Sequence, residues 1–213
     1  IMAITINGSG TVTGVSVGGL PDGIVDTDML AANAVAAAKI GAEEVTKDKQ
    51  GPGSIVQCLS YWKDTVWSTT GNSWHDITGL AGTITPTTNS NKILIICSLG
   101  KMHNTAGSAG IRYNRTISSS TEQVGIGSSS GAGSRPRIAF NTYGDDIYNN
   151  NHAGSYSHHY LDNPTTTNEI TYQVQVYPEG SSVYLNRSND DTDENEIYRG
   201  RASSSLTLME IVA

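Results

Sequence analysis

Apolar and polar side chains alternate in the stretch Ile170-Thr171-Tyr172-Gln173-Val174-Gln175-Val176. Because successive side chains of a β-strand point to opposite faces of a sheet, this stretch predicts a strand with one buried face and one face in water. The stretch Ile93-Leu94-Ile95-Ile96-Cys97 is instead apolar at consecutive positions. It predicts a central strand that is covered on both faces.

Other short segments after residue 53 are also rich in β-branched and aromatic residues and are bounded by Ser, Thr, Asn or Gly. No segment with helical periodicity interrupts them, so they predict an all-β head that is a jelly roll or β-sandwich. The predicted strands are residues 55–62, 65–69, 74–78, 82–85, 92–99, 110–117, 123–126, 137–142, 170–177, 183–187 and 205–212.

The composition of the chain changes at Gly51-Pro52-Gly53. Residues 1–50 are rich in Gly and Ala, and they predict short strands followed by an Ala-rich helix of about 14 residues that ends at Gly41. A lone helix of this length is marginal in water, so we expect it to pack on another chain or on the head. The predicted organisation is an N-terminal anchor of residues 1–50 and a β-sandwich head of residues 51–213.

The chain carries few charges, since charged residues make up 15% and apolar residues 37% of its 213 residues. Acidic residues outnumber basic ones 20 to 13, which gives a formal net charge of −7. Without a cluster of Lys and Arg to neutralise phosphates, nucleic acid is not expected as a partner. We see no secretion signal and no apolar run near the roughly 20 residues of a membrane span. We therefore expect synthesis in a cytoplasm and no membrane insertion.

Two cysteines, Cys58 and Cys97, lie in apolar, strand-like segments. A free thiol in such a place behaves as a small apolar side chain. We expect both cysteines to be reduced and buried in the core, without a disulfide between them.

Several stretches resemble a known group of proteins. The anchor contains Ile-Thr-Ile-Asn-Gly-Ser-Gly-Thr-Val-Thr-Gly at residues 4–14, with related stretches at residues 17–23 and 28–35. The head contains Val-Tyr-Leu-Asn-Arg-Ser at residues 183–188 and Arg-Gly-Arg-Ala-Ser-Ser-Ser-Leu-Thr-Leu-Met-Glu-Ile at residues 199–211, with further stretches at residues 83–86, 91–95, 160–164 and 171–172. Together they resemble tail-fibre-like structural proteins from phages of marine bacteria.

This resemblance implies a homotrimer whose heads adopt a jelly roll similar to that of tumour necrosis factor. It implies a protein of the virion surface, assembled in the host cytoplasm, whose residues 1–50 attach to other virion proteins of the tail or the capsid. The head would then bind the host cell surface, through a glycan or a protein. A capsid-surface decoration or head fibre with a structural role is an alternative interpretation.

A polysaccharide depolymerase is the enzymatic alternative. Sugar cleavage needs two carboxylates at a defined separation. The candidates Glu122, Asp145, Asp146 and Asp162 show no recognisable pairing in the sequence. We therefore expect no enzyme activity, and we expect no cofactor.

Residues 143–152 predict a surface loop rich in Tyr, Asn and Asp. Flat Tyr rings can stack on a sugar, and Asp and Asn side chains match its hydroxyl groups. In the alternative interpretation, the tyrosines only pack on the sandwich. The candidate receptor-binding residues are Tyr143, Asp145, Asp146, Tyr148, Asn150, His152 and Tyr156.

The terminal strand and the anchor helix supply candidate contacts with other subunits or with the particle. Along residues 205–212, two large apolar residues face one way and two face the other. A sandwich that buries one face would expose one pair, at about 1.5 to 3 kcal/mol per large side chain. The candidate contact residues are Met29, Leu30, Ala34, Ala37, Leu206, Leu208, Met209 and Ile211.

Three other motifs favour structural interpretations. Gly127-Ser128-Ser129-Ser130-Gly131 matches the G-x-S-x-G pattern of hydrolases, but it lies in a Ser/Gly-rich loop with no helix after it. The acidic residues 189–196 offer oxygen ligands for Ca²⁺ without the spacing of an EF-hand, and a solvated loop explains them. Neighbouring His158 and His159 point to opposite faces of a strand, so we expect no metal site within one chain, and a site on a trimer axis stays open.

Three tryptophans, Trp62, Trp67 and Trp74, allow two interpretations. Each offers a large stacking face to a ligand, and each could instead fill the core or a seam between subunits. We expect at least one of them to fill the core or a seam.

Because the composition changes at Gly51-Pro52-Gly53, residues 54–213 should fold without the anchor. Expressed alone, this fragment should melt cooperatively and give a β-type circular dichroism spectrum. A molten or insoluble fragment would contradict the predicted division.

Overall fold

The computed structural model describes residues 49–105, 107–143 and 153–213, with only the backbone of Tyr143. By its internal contacts the chain divides into two compact units, Ile1–Lys49 and Gln50–Ala213. The strands and the helix predicted for the anchor lie outside the described residues and stay predictions. Within the described part of the chain, no helix is long and apolar enough to span a membrane.

The described residues form two antiparallel β-sheets. The first sheet contains β1 (Ile55–Lys63), β2 (Trp67–Gly71), β4 (Lys92–Asn104), β8 (Gly154–Asp162), β10 (Ser181–Leu185) and β11 (Ser204–Ile211). The second sheet contains β3 (His75–Ile84), β5 (Ser108–Ile117), β6 (Ser120–Val124), β7 (Phe140–Tyr143) and β9 (Ile170–Pro178). A 3₁₀ turn, Ile197–Arg199, lies between β10 and β11. The predicted all-β sandwich is confirmed.

The last strand is central in its sheet. The order of the first sheet is β1-β11-β4-β10-β2, and β8 also pairs with β4. The order of the second sheet is β3-β9-β5-β6, and β7 also pairs with β5. In the first sheet, Leu208 of β11 lies opposite Leu59 of β1 and Ile95 of β4. The segment that comes last in the chain therefore completes the first sheet.

The inner faces of the two sheets form the core. On β9, the apolar positions predicted from the alternation of residues 170–176 are fully buried, and the polar positions between them are half-buried. This prediction is confirmed. The large side chains with no exposed surface include Ile95, Leu99, Leu206 and Leu208 of the first sheet and Ile111, Tyr113, Ile170 and Tyr172 of the second.

The prediction for residues 93–97 was partly wrong. Their strand is central, because β4 pairs with β11 on one side and with β8 on the other. The odd-numbered positions are fully buried, but Leu94 and Ile96 lie on the outer face and are only half-buried in one chain. A run of consecutive apolar residues therefore does not show that a strand is covered on both faces by its own chain.

Two strands differ from the sequence prediction. Residues 74–78 and 82–85 belong to one strand, β3, whose register shifts between Asp76 and Ala81. Strand β8 was missed, because its inner positions carry Tyr156, His158 and Tyr160 rather than aliphatic residues. The alternation is present in β8, but it is an alternation of aromatic with polar residues.

Both cysteines are free, and they differ in exposure. Cys97 is fully buried on the inner face of β4, as predicted. Burial raises the pKa of its thiol to about 12, and a hydrogen bond with Tyr113 opposes part of this shift. The prediction that Cys58 is buried is wrong, because β1 places this residue on the outer face of the first sheet.

A buried carboxylate holds β11 in place. Glu210 has no exposed surface. Its Oε1 accepts hydrogen bonds from the backbone N–H and the hydroxyl of Thr87 and from Nδ2 of Asn91, each at 2.7 Å, and its Oε2 accepts one from Nε2 of Gln57 at 2.6 Å. Burial raises the pKa of Glu210, but these hydrogen bonds outweigh burial and lower it overall. They tie β11 to β1 and to the turn before β4.

Glu210→Gln should destabilise the head by about 1 to 3 kcal/mol at neutral pH, because the new amide leaves buried donors unpaired. Since folding lowers the pKa of Glu210, its stabilising effect is complete above the ordinary pKa of glutamate and is lost as the pH falls through the lowered value. Urea unfolding should therefore show a difference between wild type and variant that narrows in acid.

The matched control is Glu169→Gln, the same change at an exposed residue. It should leave the free energy of unfolding nearly unchanged at every pH. Equal stability of Glu210→Gln and wild type at neutral pH would contradict the role of the buried carboxylate.

Candidate functional site

The predicted receptor-binding loop lies mostly outside the described residues, and Tyr143 is the last residue of β7. Tyr156 lies on the inner face of β8, opposite Leu99, and packs against the core. Its candidate role in receptor binding is not supported, because β8 turns its side chain into the sandwich. The candidate residues of this loop that lie outside the described part of the chain are Asp145, Asp146, Tyr148, Asn150 and His152.

The predicted contact residues fall into three groups. Leu206 and Leu208 have no exposed surface within one chain, so their assignment as contacts with another subunit was wrong. Met209 and Ile211 lie on the outer face of β11 and are half-buried. The anchor residues Met29, Leu30, Ala34 and Ala37 lie outside the described residues.

An apolar row crosses the outer face of the first sheet. We call it the apolar band: Cys58 of β1, Met209 of β11, Leu94 of β4 and Leu161 of β8, each paired with the next across neighbouring strands. Leu161 is 46% exposed. Contiguous exposed apolar surface on a folded chain marks a site of interaction.

The two rows on one side of the apolar band carry no formal charge, whereas on its other side Ile211 pairs with Lys92. The next row holds Ser60, Thr207, Ile96 and His159, and the row after it holds Trp62, Ser205, Ser98 and Ser157. Across these three rows there is no Asp, Glu, Lys or Arg. Trp62 is 69% exposed at the end of the third row, so this face offers uncharged surface over four strands.

The outer face of the second sheet is different. One of its rows consists of four threonines, Thr83, Thr171, Thr116 and Thr121. In another row, Nε of Arg112 donates to Gln175 at 2.8 Å, and Nε2 of Gln175 donates to Asp76 at 2.6 Å. This face is polar and charged, so the two outer faces suit different partners.

An ion-pair cluster joins the two sheets. Nη1 of Arg115 on β5 donates to both carboxylate oxygens of Asp162 on β8, at 2.8 and 2.7 Å, and the hydroxyl of Tyr172 on β9 donates to the same carboxylate at 2.7 Å. Glu122 contacts the same guanidinium. Burial lowers the pKa of Arg115, but its hydrogen bonds with the two carboxylates raise it overall. The structure thus brings together two candidate carboxylates, as partners of one arginine.

Three carboxylates of the acidic loop form ion pairs with arginines. Asp190 contacts Arg199 at 2.6 Å, and Asp191 contacts Arg201 at 2.6 Å. Glu194 also contacts Arg199, at 3.2 Å. Residues 191–196 are exposed, in agreement with the solvated loop expected from the sequence, and the ion pairs with arginines are an additional feature. Among the described residues, no group of three His, Cys, Asp or Glu is placed to hold a metal ion.

The two neighbouring histidines point to opposite faces, as predicted. His158 faces inward, where its Nδ1 lies 3.1 Å from the hydroxyl of Tyr113 and its ring stacks on Phe140 at 5.4 Å. Burial, and to a smaller extent His159, lower the pKa of His158. His159 is exposed on the outer face of the first sheet.

The three tryptophans have different surroundings. Trp67 packs against the core, and Trp62 lies in an uncharged row on the outer face of the first sheet. Trp74 lines a cleft of about 250 Å³ on the second sheet, together with Tyr177, Ile138, Gly110, Asn141 and Glu179. We call it the Trp74 cleft. This grouping could not be predicted from the sequence, because its members come from four separate segments of the chain.

No protein-family model matches the chain, and no curated protein matches it. Among solved structures, the VP2 subviral particle of infectious bursal disease virus is similar over 75% of this chain and 38% of that chain, with 12% identity and a TM-score of 0.32. The Gx strain of the same virus is similar over 75% and 43%, with 8% identity and a TM-score of 0.33. The chain thus spans less than half the length of both, and likeness this low carries no argument about function.

Proposed function

We propose that this protein is a surface component of a virus particle, that it assembles as a homotrimer, and that its head binds the host cell surface. The sequence resemblance to tail-fibre-like proteins supports the virion assignment. The apolar band supports the assembly, and it is the observation that carries the proposal. In this proposal residues 1–50 attach to the tail or the capsid.

The apolar side chains of the apolar band favour contact between copies of the chain. Covering Leu94, Met209 and Leu161 stabilises an assembly by about 25 cal/mol for each Å² of apolar surface removed from water. Because the two rows on one side of the band are uncharged, identical copies can meet over the band and these rows without placing like charges together. The polar outer face of the second sheet then remains in water.

A threefold arrangement also suits attachment. Cyclic symmetry brings three anchors together, so each bound anchor raises the effective concentration of the others. A capsid decoration would share this assembly and differ in its place on the particle. Imaging of virions labelled on this chain distinguishes the two.

Met209→Asp should dissociate the trimer, because it would place three carboxylates in an apolar contact. Since Met209 lies on the outer face, the separated chain should still melt cooperatively. Light scattering should give a mass near three times 22.5 kDa for the wild type and near one chain for the variant.

The matched control is Thr171→Asp, which places the same charge on the outer face of β9 in the second sheet. This variant should keep the trimer mass. A monomeric wild type, as would arise if residues 1–48 of the same chain covered the band, would contradict the proposal. So would a trimeric Met209→Asp variant.

Host binding is tested separately, on the cells that the virus infects. The purified head should adsorb to these cells, and Asp146→Ala combined with Tyr148→Ala should weaken adsorption without lowering the melting temperature, because both side chains lie in the predicted loop. Adsorption equal to wild type would contradict a role for the loop. A head that never adsorbs would contradict host binding and favour the decoration.

A further inference from the structure

The Trp74 cleft has two aromatic walls. The rings of Trp74 and Tyr177 lie 5.5 Å apart, with their planes inclined by 57°. Both side chains are half-buried, so part of each ring faces water. Aromatic faces of this kind pack against the apolar face of a sugar ring, which carries C–H groups rather than hydroxyls.

The indole is held in place before any ligand arrives. The guanidinium of Arg112 lies over the ring of Trp74, 3.9 Å from its centroid. Arg112 is held in turn by Gln175, and Gln175 is held by Asp76. A ring fixed in this way loses little freedom on binding, and this preorganisation favours affinity.

The wall beside the indole depends on a glycine. A Cβ atom at Gly110 would lie 2.8 Å from Cγ2 of Ile138 and 3.5 Å from Cη2 of Trp74. Because Gly110 has no side chain, Ile138 and the indole can both approach the backbone of β5. The cleft is therefore shaped by backbone and by packed side chains.

Polar groups line the same cleft. Asn141 and Glu179 are exposed, and within the described residues their side chains form no hydrogen bonds. An amide and a carboxylate offer donors and acceptors to sugar hydroxyls. The carboxylate, together with the net charge of −7, disfavours an acidic sugar.

We propose that the Trp74 cleft binds an uncharged sugar ring, by stacking on Trp74 and Tyr177 and by hydrogen bonds to Asn141 and Glu179. The volume of about 250 Å³ is below the roughly 300 to 1,000 Å³ of sites for drug-sized ligands, which suits one ring of a longer glycan. This inference rests on the proposed host binding. It specifies the chemical class of the ligand and the place on the head where the ligand binds.

The test is NMR titration of the full-length protein with the methyl glycosides of glucose, galactose, mannose and N-acetylglucosamine, each alone. The indole N–H signal of Trp74, assigned by its loss in Trp74→Phe, should shift with at least one of them, and the signal of Trp67 should not. Glu179→Gln should weaken that binding about tenfold, the effect of losing a hydrogen bond to a charged group. Glu169→Gln should leave binding unchanged.

Three results would overturn the inference: no shift of the Trp74 signal with any of the four glycosides, equal binding by Glu179→Gln, or tighter binding of methyl glucuronide than of every neutral glycoside. The variant Glu179→Gln changes an exposed side chain, so folding does not limit the test. The assay needs no host cell and no trimer. If no glycoside binds but the protein has the mass of a trimer, the sugar site is rejected and the proposed assembly stands. If the protein is a monomer that binds a glycoside, the proposed assembly is rejected and the sugar site stands.

Discussion

The insertion of β11 between β1 and β4 is the constraint on which the rest of the head depends. Glu210 and its hydrogen bonds to Gln57, Thr87 and Asn91 hold this strand in register. Since side chains alternate along a strand, burial of Leu208 and Glu210 forces Met209 outward. The register with the neighbouring strands then aligns Met209 with Cys58 and Leu94. A slip by one residue would exchange the two faces, so the buried carboxylate and the apolar band depend on the same register.

A sandwich has two outer faces, and in this chain they differ in chemistry. The first sheet presents the apolar band and its uncharged rows, whereas the second presents threonines, the row of Arg112, and the Trp74 cleft. A copy packed against the first sheet leaves the second in water. Assembly and ligand binding are thus compatible on one small domain, and our two proposals use different faces of it.

Alternation along single strands could be read from the sequence, but pairing between strands could not. Residues 170–176 were predicted correctly because their buried positions carry Ile, Tyr and Val. Strand β8 was missed because its inner positions carry Tyr and His, and for the same reason Tyr156 was chosen as a candidate receptor-binding residue. Identifying the apolar band required the pairing register of four strands, and identifying the Trp74 cleft required the contacts between segments that are distant in the sequence. Neither is visible in a one-dimensional pattern.

Thiol labelling of Cys58 shows whether the apolar band is covered in the assembled protein. Cys58 is exposed in a single chain, and Cys97 is fully buried and serves as an internal control. The unfolded protein, in which a maleimide reaches both thiols, gives the reference rate. We predict that the native protein protects Cys58 as well as Cys97. Labelling of Cys58 in the native protein at close to the unfolded rate would contradict the account.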